Sequence, residues 1–464
     1  MINSIGFLRV NSVKVIISMV LIVISVAACR NGDNLTGSLS ETEPKITITS
    51  SKPSGLEPAP DIQITGSTGE IPSEVTKPIT GKEKNLVVVF VKDGNVWIWT
   101  RRDGGKPLTS SGDVIAVRIS PSSKMIAFTR QVDDFHAELW AIDSDGANER
   151  RLVSISALDD LSYEVRDANA VAVNPGQFEW HPDSPIIAFN TVQIFNGPGV
   201  AWVNDLRSVD ARSGEILTIL PPGSGGQFLY NSEGSQIAIS TPTSISLVDA
   251  DGSNRRDVLV YDAVNTYSEY RFYAQPIWSP NGDFLRVAIP PSDTLAEPRL
   301  PTTLWYIPTD GSLASRVGII SASPIFSGEP IFSPDTAYII FLREMGDPNL
   351  NMSELHVANG DGSGDFVYLK AAQIMLESWS TDSSRFVFRS GENQETQMGG
   401  LNITSSPLTD NPTGILDVKW VDAKSFIFIR DRGGIFDLVL WNMKGSSTPI
   451  YEGFISPPVY DFVK

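Results

Sequence analysis

The chain has 464 residues, 41% of them hydrophobic, which is enough for a large core or a long repeat array. Its 54 acids outnumber 36 basic residues, and a net charge of −18 repels phosphate backbones and excludes general nucleic-acid binding. One cysteine excludes an intramolecular disulfide and a cysteine-based zinc site.

Residues 1–14 carry Arg9 and Lys14 and no acid, and residues 15–28 form an apolar run that ends at Cys29. This is the pattern of a signal peptide over 1–28. The ending Val26, Ala27, Ala28, Cys29 resembles a bacterial lipobox. That resemblance implies cleavage before Cys29, a diacylglyceryl group on its thiol, and a palmitate-type anchor. The protein would be an extracytoplasmic lipoprotein of the cell membrane or outer membrane, and two acyl chains hold such a protein firmly. Residues 29–84 are rich in Ser, Thr, Pro, Gly and Glu and poor in large apolar side chains, which predicts a flexible lipid-anchored tether.

From residue 85 onward a hydrophobic stretch repeatedly runs into a short polar turn and straight back into another. The copies lie at 117–128, 178–189, 228–239, 276–287, 330–341 and 377–388, with a weaker one at 418–428. Their spacing of roughly 40 to 60 residues is that of repeat architectures. Four copies carry Ser-Pro or Ser-Thr in the turn, at Ser120, Ser279, Ser333 and Ser380; His181 and Asn231 replace the serine in two others, and Val421 in the last. A third apolar strand and a tight turn follow each copy. Five of these turns are Asp145-Gly146, Asp251-Gly252, Asp310-Gly311, Asp361-Gly362 and Lys444-Gly445. Such pairs supply the positive φ that hairpin turns require. Four short antiparallel strands per unit predict an all-β chain of propeller blades over 85–464. No helical period of comparable strength follows residue 30.

The aromatic-Ser-Pro-Asp-Gly turns and the Leu-Trp strands before Asp-Gly resemble the TolB-like and WD-repeat-like β-propellers of bacterial envelopes. The resemblance implies the fold and leaves the chemistry open. Residues 86–109 look like second, third and fourth strands without a first, and 458–463 look like a first strand with nothing after it. Joining them closes the ring and removes open sheet edges. Seven internal blades and this composite one make eight, or seven if one degenerate copy is not a blade.

The turns between strands one and two, and three and four, share one face. Long insertions at 155–175, 191–204, 262–273, 290–302 and 344–352 collect on the other, where binding is expected. Phe135, Tyr163, Phe195, Trp202, Tyr267 and Tyr270 are the candidate aromatics of that face, for a protein, peptide or glycan partner; covering the blade edges is their alternative role. Lys92, Arg130, Arg343, Arg389 and Arg430 recur near the ends of second strands. They form a candidate anion ring, or they pair with local acids such as Asp133, Glu344 and Asp431.

Catalytic patterns are sparse. His136, His181 and His356 fall in three different blade contexts, and no Gly-x-Ser-x-Gly elbow occurs. The Asp-x-Asp-Gly turns at 143–146 and 249–252 lack the acid and helix of a calcium loop. No metal or cofactor is called for. The expectation is a non-catalytic lipoprotein that binds a protein, peptide or glycan at the envelope. The alternative is a carboxylate-dependent glycan hydrolase or lyase acting in the channel. Inward-pointing acids on first strands would favour the enzyme, and an apolar or aromatic channel mouth would favour the binding module.

Overall fold

The computed structural model describes residues 85–464, except 163–165, 198–202, 204, 269, 346–351 and 409–413. The signal peptide, Cys29, the tether, Tyr163 and Trp202 lie outside the described residues. The chain from 85 onward folds into eight four-stranded antiparallel sheets, the blades of a β-propeller. Blade 1 consists of Val114–Ile119, Met125–Gln131, Ala137–Asp143 and Arg150–Val153. Blades 2 to 7 repeat its order, with first strands Ala170–Trp180, Gln227–Tyr230, Ile277–Trp278, Ile331–Phe332, Met375–Trp379 and Ile415–Asp422. Blade 8 is the composite one: Tyr460–Val463 pairs with Val87–Lys92, and Asn95–Thr100 and Gly104–Pro107 complete it.

The uniform apolarity of the second strands has a physical cause. A blade is covered on both faces by its neighbours, so alternate residues of one strand enter two different cores. Ile126 and Phe128 pack towards blade 8, whereas Met125 and Ala127 pack towards blade 2. The hydrophobic core is accordingly divided into eight clusters, one in each seam between adjacent blades.

The turn chemistry repeats atom for atom. Ser120, Ser279, Ser333 and Ser380 each accept, through Oγ, the amide hydrogen of the residue five positions on, at 2.9–3.2 Å. Asn231 does the same through Oδ1, and His181 accepts the Asp183 amide through Nδ1 at 3.1 Å. In the second set of turns Asp145, Asp251, Asp310 and Asp361 accept the amide two residues on, which makes them hairpin turns. Gly252 needs its φ of +89°, and a Cβ there would meet the Ile219 carbonyl of blade 2 at 2.3 Å.

Tryptophan side chains tie the blades together. Trp180, Trp278 and Trp379 end the first strands of blades 2, 4 and 6. Each donates its indole N–H to a carbonyl of the preceding blade's first strand: Arg118 at 3.1 Å, Leu229 at 3.2 Å and Ile331 at 3.0 Å. Trp420 occupies the same position in blade 7, yet its buried N–H has no partner. Register shifts flank both sides of this seam, between Leu376 and Ser378 in blade 6 and between Leu416 and Lys419 in blade 7. A bond from Ser378 Oγ to the Val418 carbonyl, 3.1 Å, links the two blades there.

Two features depart from the sequence reading. Residues 155–175 are not one loop: they hold a helix, Ile155–Ser162, capped by Ser154 Oγ accepting the Ala157 amide at 3.2 Å. Leu158 and the half-buried Ala157 pack into the cluster between blades 1 and 2, too little to stand out as a period. The inner hairpin of blade 2 also reaches much further than its repeat: Ala170–Trp180 pairs with Ile186–Phe195, bulged between Pro175 and Phe178.

Candidate functional site: the channel and the loop-rich face

First strands have no sheet neighbour on their inner side, so they line the central channel. Residues paired with the same second-strand position are equivalent around the ring. They are Arg118, Glu179, Leu229, Ile277, Ile331, Ser378, Lys419 and Asp461. In all eight blades they are partly or fully exposed beside a buried neighbour that packs into a seam. The lining divides in two. Blades 7, 8, 1 and 2 contribute Lys419, Asp461, Arg118 and Glu179, and blades 3, 4 and 5 contribute Leu229, Ile277 and Ile331.

The charged side is a connected network. Arg118 Nε lies 3.1 Å from Glu179 Oε1, and Asp461 accepts the Ile119 amide at 2.9 Å. Lys419 reaches Asp417 at 3.2 Å and sits 4.1 Å above the Tyr460 ring. Burial pushes the Glu179 carboxyl above its ordinary pKa; Asp461 adds to the shift, and Arg118 and Lys419 oppose it. Burial acts to lower Arg118, but Glu179, Asp461 and Asp417 outweigh it and raise its pKa. The channel thus meets both sequence criteria at once: it has inward acids, and it has an apolar side.

The five recurrent cations do stand near the ends of second strands, and each is ion-paired within its own blade. Lys92 pairs with Asp93 at 2.5 Å and lies 5.0 Å from the ring centres of Trp97 and Tyr451. Arg130 pairs with Glu149 and with Asp113 at 3.6 Å. Arg343 holds Glu354 at 2.9 Å, Arg389 holds Glu377 at 2.8 Å, and Arg430 holds Asp437 at 2.9 Å. The partners differ from Asp133, Glu344 and Asp431, the acids nearest in sequence. Glu354 and Asp437 belong to the third strand, directly opposite Arg343 and Arg430 in the ladder. Register, not proximity in sequence, selects them, and the recurring acid-Leu at the start of third strands was the signal.

Glu354 is the most heavily engaged carboxylate. Lys370, Arg343 and His356 donate to it and lower its pKa to about 2. His356 is buried between Glu354 at 3.1 Å and Asp365 at 2.5 Å and stacks on Phe341. His136 instead caps Asp133, and His181 packs edge-on against Tyr230.

The described candidate aromatics separate into two kinds. Phe135 and Phe195, on blades 1 and 2, are half-buried. Tyr267 and Tyr270 are 53% and 42% exposed. They stand on the 262–273 insertion, which is laced to the 290–302 insertion. Asn265 donates its amide to the Ser292 carbonyl at 2.8 Å and Thr294 Oγ1 donates to the Asn265 carbonyl at 3.0 Å. Tyr267 Oη donates to Asp293 at 2.5 Å. Leu295 and Leu300 are 40% and 49% exposed on the same pair of loops. Two shallow hollows adjoin at Pro290. Phe272, Gln275, Glu329, Pro330 and Phe332 line one. Pro291, Thr294, Arg299, Leu300, Ser323 and Ile325 line the other. The Ser323 hydroxyl, buried in its wall, has no hydrogen-bond partner. Sequence patterns could not pair these loops: two of the joining bonds go to backbone carbonyls, and the third joins side chains far apart in the chain.

Eight blades, a composite closing blade and a half-charged channel make this an eight-bladed β-propeller. No family model matches the sequence, and no curated protein matches it. Among solved structures it is similar to TolB from Acinetobacter baumannii, at 13% identity over 60% of this chain and 62% of that one, with a TM-score of 0.32. It is similar to the β-propeller domain of the Trilobed protease from Pyrococcus furiosus, at 12% identity over 61% and 86%, TM-score 0.42. It is also similar to dipeptidyl peptidase 4 from Porphyromonas gingivalis, at 12% identity over 74% and 53%, TM-score 0.49. This chain therefore spans under two thirds of the TolB and dipeptidyl peptidase chains. These likenesses assign no activity, and the fold rests on the strand ladders themselves.

Proposed function

We propose that this protein is a non-catalytic binding module of the bacterial envelope, anchored through lipid on Cys29 and carried on the 29–84 tether. Its propeller engages a protein, peptide or glycan through the loop-rich face. The observation that supports this most is the lacing of the 262–273 and 290–302 insertions into one raised surface that leaves Tyr267, Tyr270, Leu295 and Leu300 open to solvent. Exposed aromatic and apolar side chains held on a rigid scaffold are the usual material of a binding surface.

The test is capture of partners from detergent-solubilised envelope with the full chain as bait. A control bait has both insertions shortened. A partner kept by the first and lost by the second supports the reading; partners indifferent to the loops contradict it.

A second reading draws on the channel, where Glu179 has the raised pKa of a general acid beside other carboxylates. Against it, Glu179, Asp417 and Glu377 are each held by a cation, and Asp461 by an amide. Glycan-cleaving activity that disappears in Glu179→Gln while the fold survives would establish it.

A further inference from the structure

The laced loops carry a charge pattern of their own. Asp262, Asp293, Glu297, Glu329 and Glu344 are exposed on or beside them, against Arg271 and Arg299. Arg299 is already engaged: it donates to the Thr294 carbonyl at 2.9 Å and pairs with Glu344 at 3.4 Å and Glu297 at 3.9 Å. The surface is therefore locally acidic. Each exposed tyrosine also has a carboxylate close to it: Asp293 accepts from Tyr267, and Glu329 interacts electrostatically with Tyr270.

An aromatic face beside a carboxylate attracts a cation twice, through the ring quadrupole and through the opposite charge. The two hollows are lined in part by the same loops, with apolar walls at Pro290, Pro291, Phe272 and Leu300. An anionic ligand would face repulsion here, whereas a cationic one would be attracted.

We propose that this surface binds an extended peptide segment of a partner protein in which lysine or arginine alternates with apolar side chains. The cations lie over Tyr267 and Tyr270 beside Asp293 and Glu329. The apolar side chains lie over the hollows on either side of Pro290. This names the partner chemistry of the binding reading above and rests on it.

The experiment is fluorescence anisotropy with the full chain in detergent and two short labelled peptides. One alternates lysine with leucine and the other glutamate with leucine. A chain this acidic attracts any polycation weakly, so the decisive variant keeps the charge: Tyr267→Ala with Tyr270→Ala. The lysine peptide is expected to bind and to lose roughly tenfold in affinity in that double variant. Asp293→Asn should weaken it less, and Asp145→Asn on the opposite face should leave it unchanged. Failure of the lysine peptide to bind, equal binding of the glutamate peptide, or indifference to the tyrosines overturns the inference. If envelope capture still depends on the loops in that event, the binding reading survives and only the cationic chemistry is lost. If capture ignores the loops as well, both fall.

Discussion

On the short-turn face, Ser120, Ser279, Ser333 and Ser380 hold the same amide in blade after blade, and Asp145, Asp251, Asp310 and Asp361 hold another. On the loop-rich face the described connections differ from blade to blade. Blade 2 extends its hairpin, a helix follows blade 1, and the insertions around blade 4 bond to each other and turn tyrosines outward. Repetition marks groups occupied by folding; divergence marks groups left available for a partner. A polar side chain that satisfies a backbone amide has nothing left to offer a ligand, whereas an exposed ring with a carboxylate beside it does.

Substitutions can break this contrast. The largest effect is expected at Asp437, a fully buried carboxylate that holds Arg430, Arg432 and the Gly453 amide. Asp437→Ala should cost about 2–4 kcal/mol in urea unfolding, because two cations and an amide lose their partner while water still reaches the arginines. A smaller effect separates two tryptophans. Trp278→Phe leaves the Leu229 carbonyl without its donor and should cost about 1–2 kcal/mol more than Trp420→Phe, whose indole N–H has no partner to lose. Equal costs would mean that the ties between blades contribute nothing.

Acid should weaken blade 5. Lys370, Arg343 and His356 hold the Glu354 pKa at about 2, below its ordinary 4.5. A depressed carboxylate stabilises fully above its unfolded value and loses that contribution as the pH falls from about 4.5 towards about 2. The urea midpoint should therefore drop over that window, and Glu354→Gln should flatten the drop. The smallest stability effect belongs to the loop-rich face: Tyr267→Ala with Tyr270→Ala should change unfolding by no more than about 0.5 kcal/mol. A large loss there would make the tyrosines structural and remove the contrast.

Much of the scaffold was legible in the sequence because its causes are local. Turn residues and the alternation between two seams leave marks within a few residues of each other, and the split closing blade shows as an incomplete unit at each end of the repeat array. The helix at Ile155–Ser162 left none, since eight residues with only Leu158 and Ala157 packed inward make no period. The acids that hold Arg343 and Arg430 were missed because ladder register, not sequence distance, brings Glu354 and Asp437 opposite them. The divided channel is legible only once the eight equivalent positions are aligned through their pairing. The lacing of 262–273 to 290–302 runs through two main-chain carbonyls, which carry no sequence signal, and one Tyr267–Asp293 bond between residues far apart in the chain.

The most direct measurement is a hydrogen–deuterium exchange footprint of the full chain with and without the lysine–leucine peptide. The account predicts slowed exchange at 262–273 and 290–302 and none at the turns around Ser120, Ser279, Ser333 and Ser380. Protection on those turns, or confined to the first strands that line the channel, would contradict it.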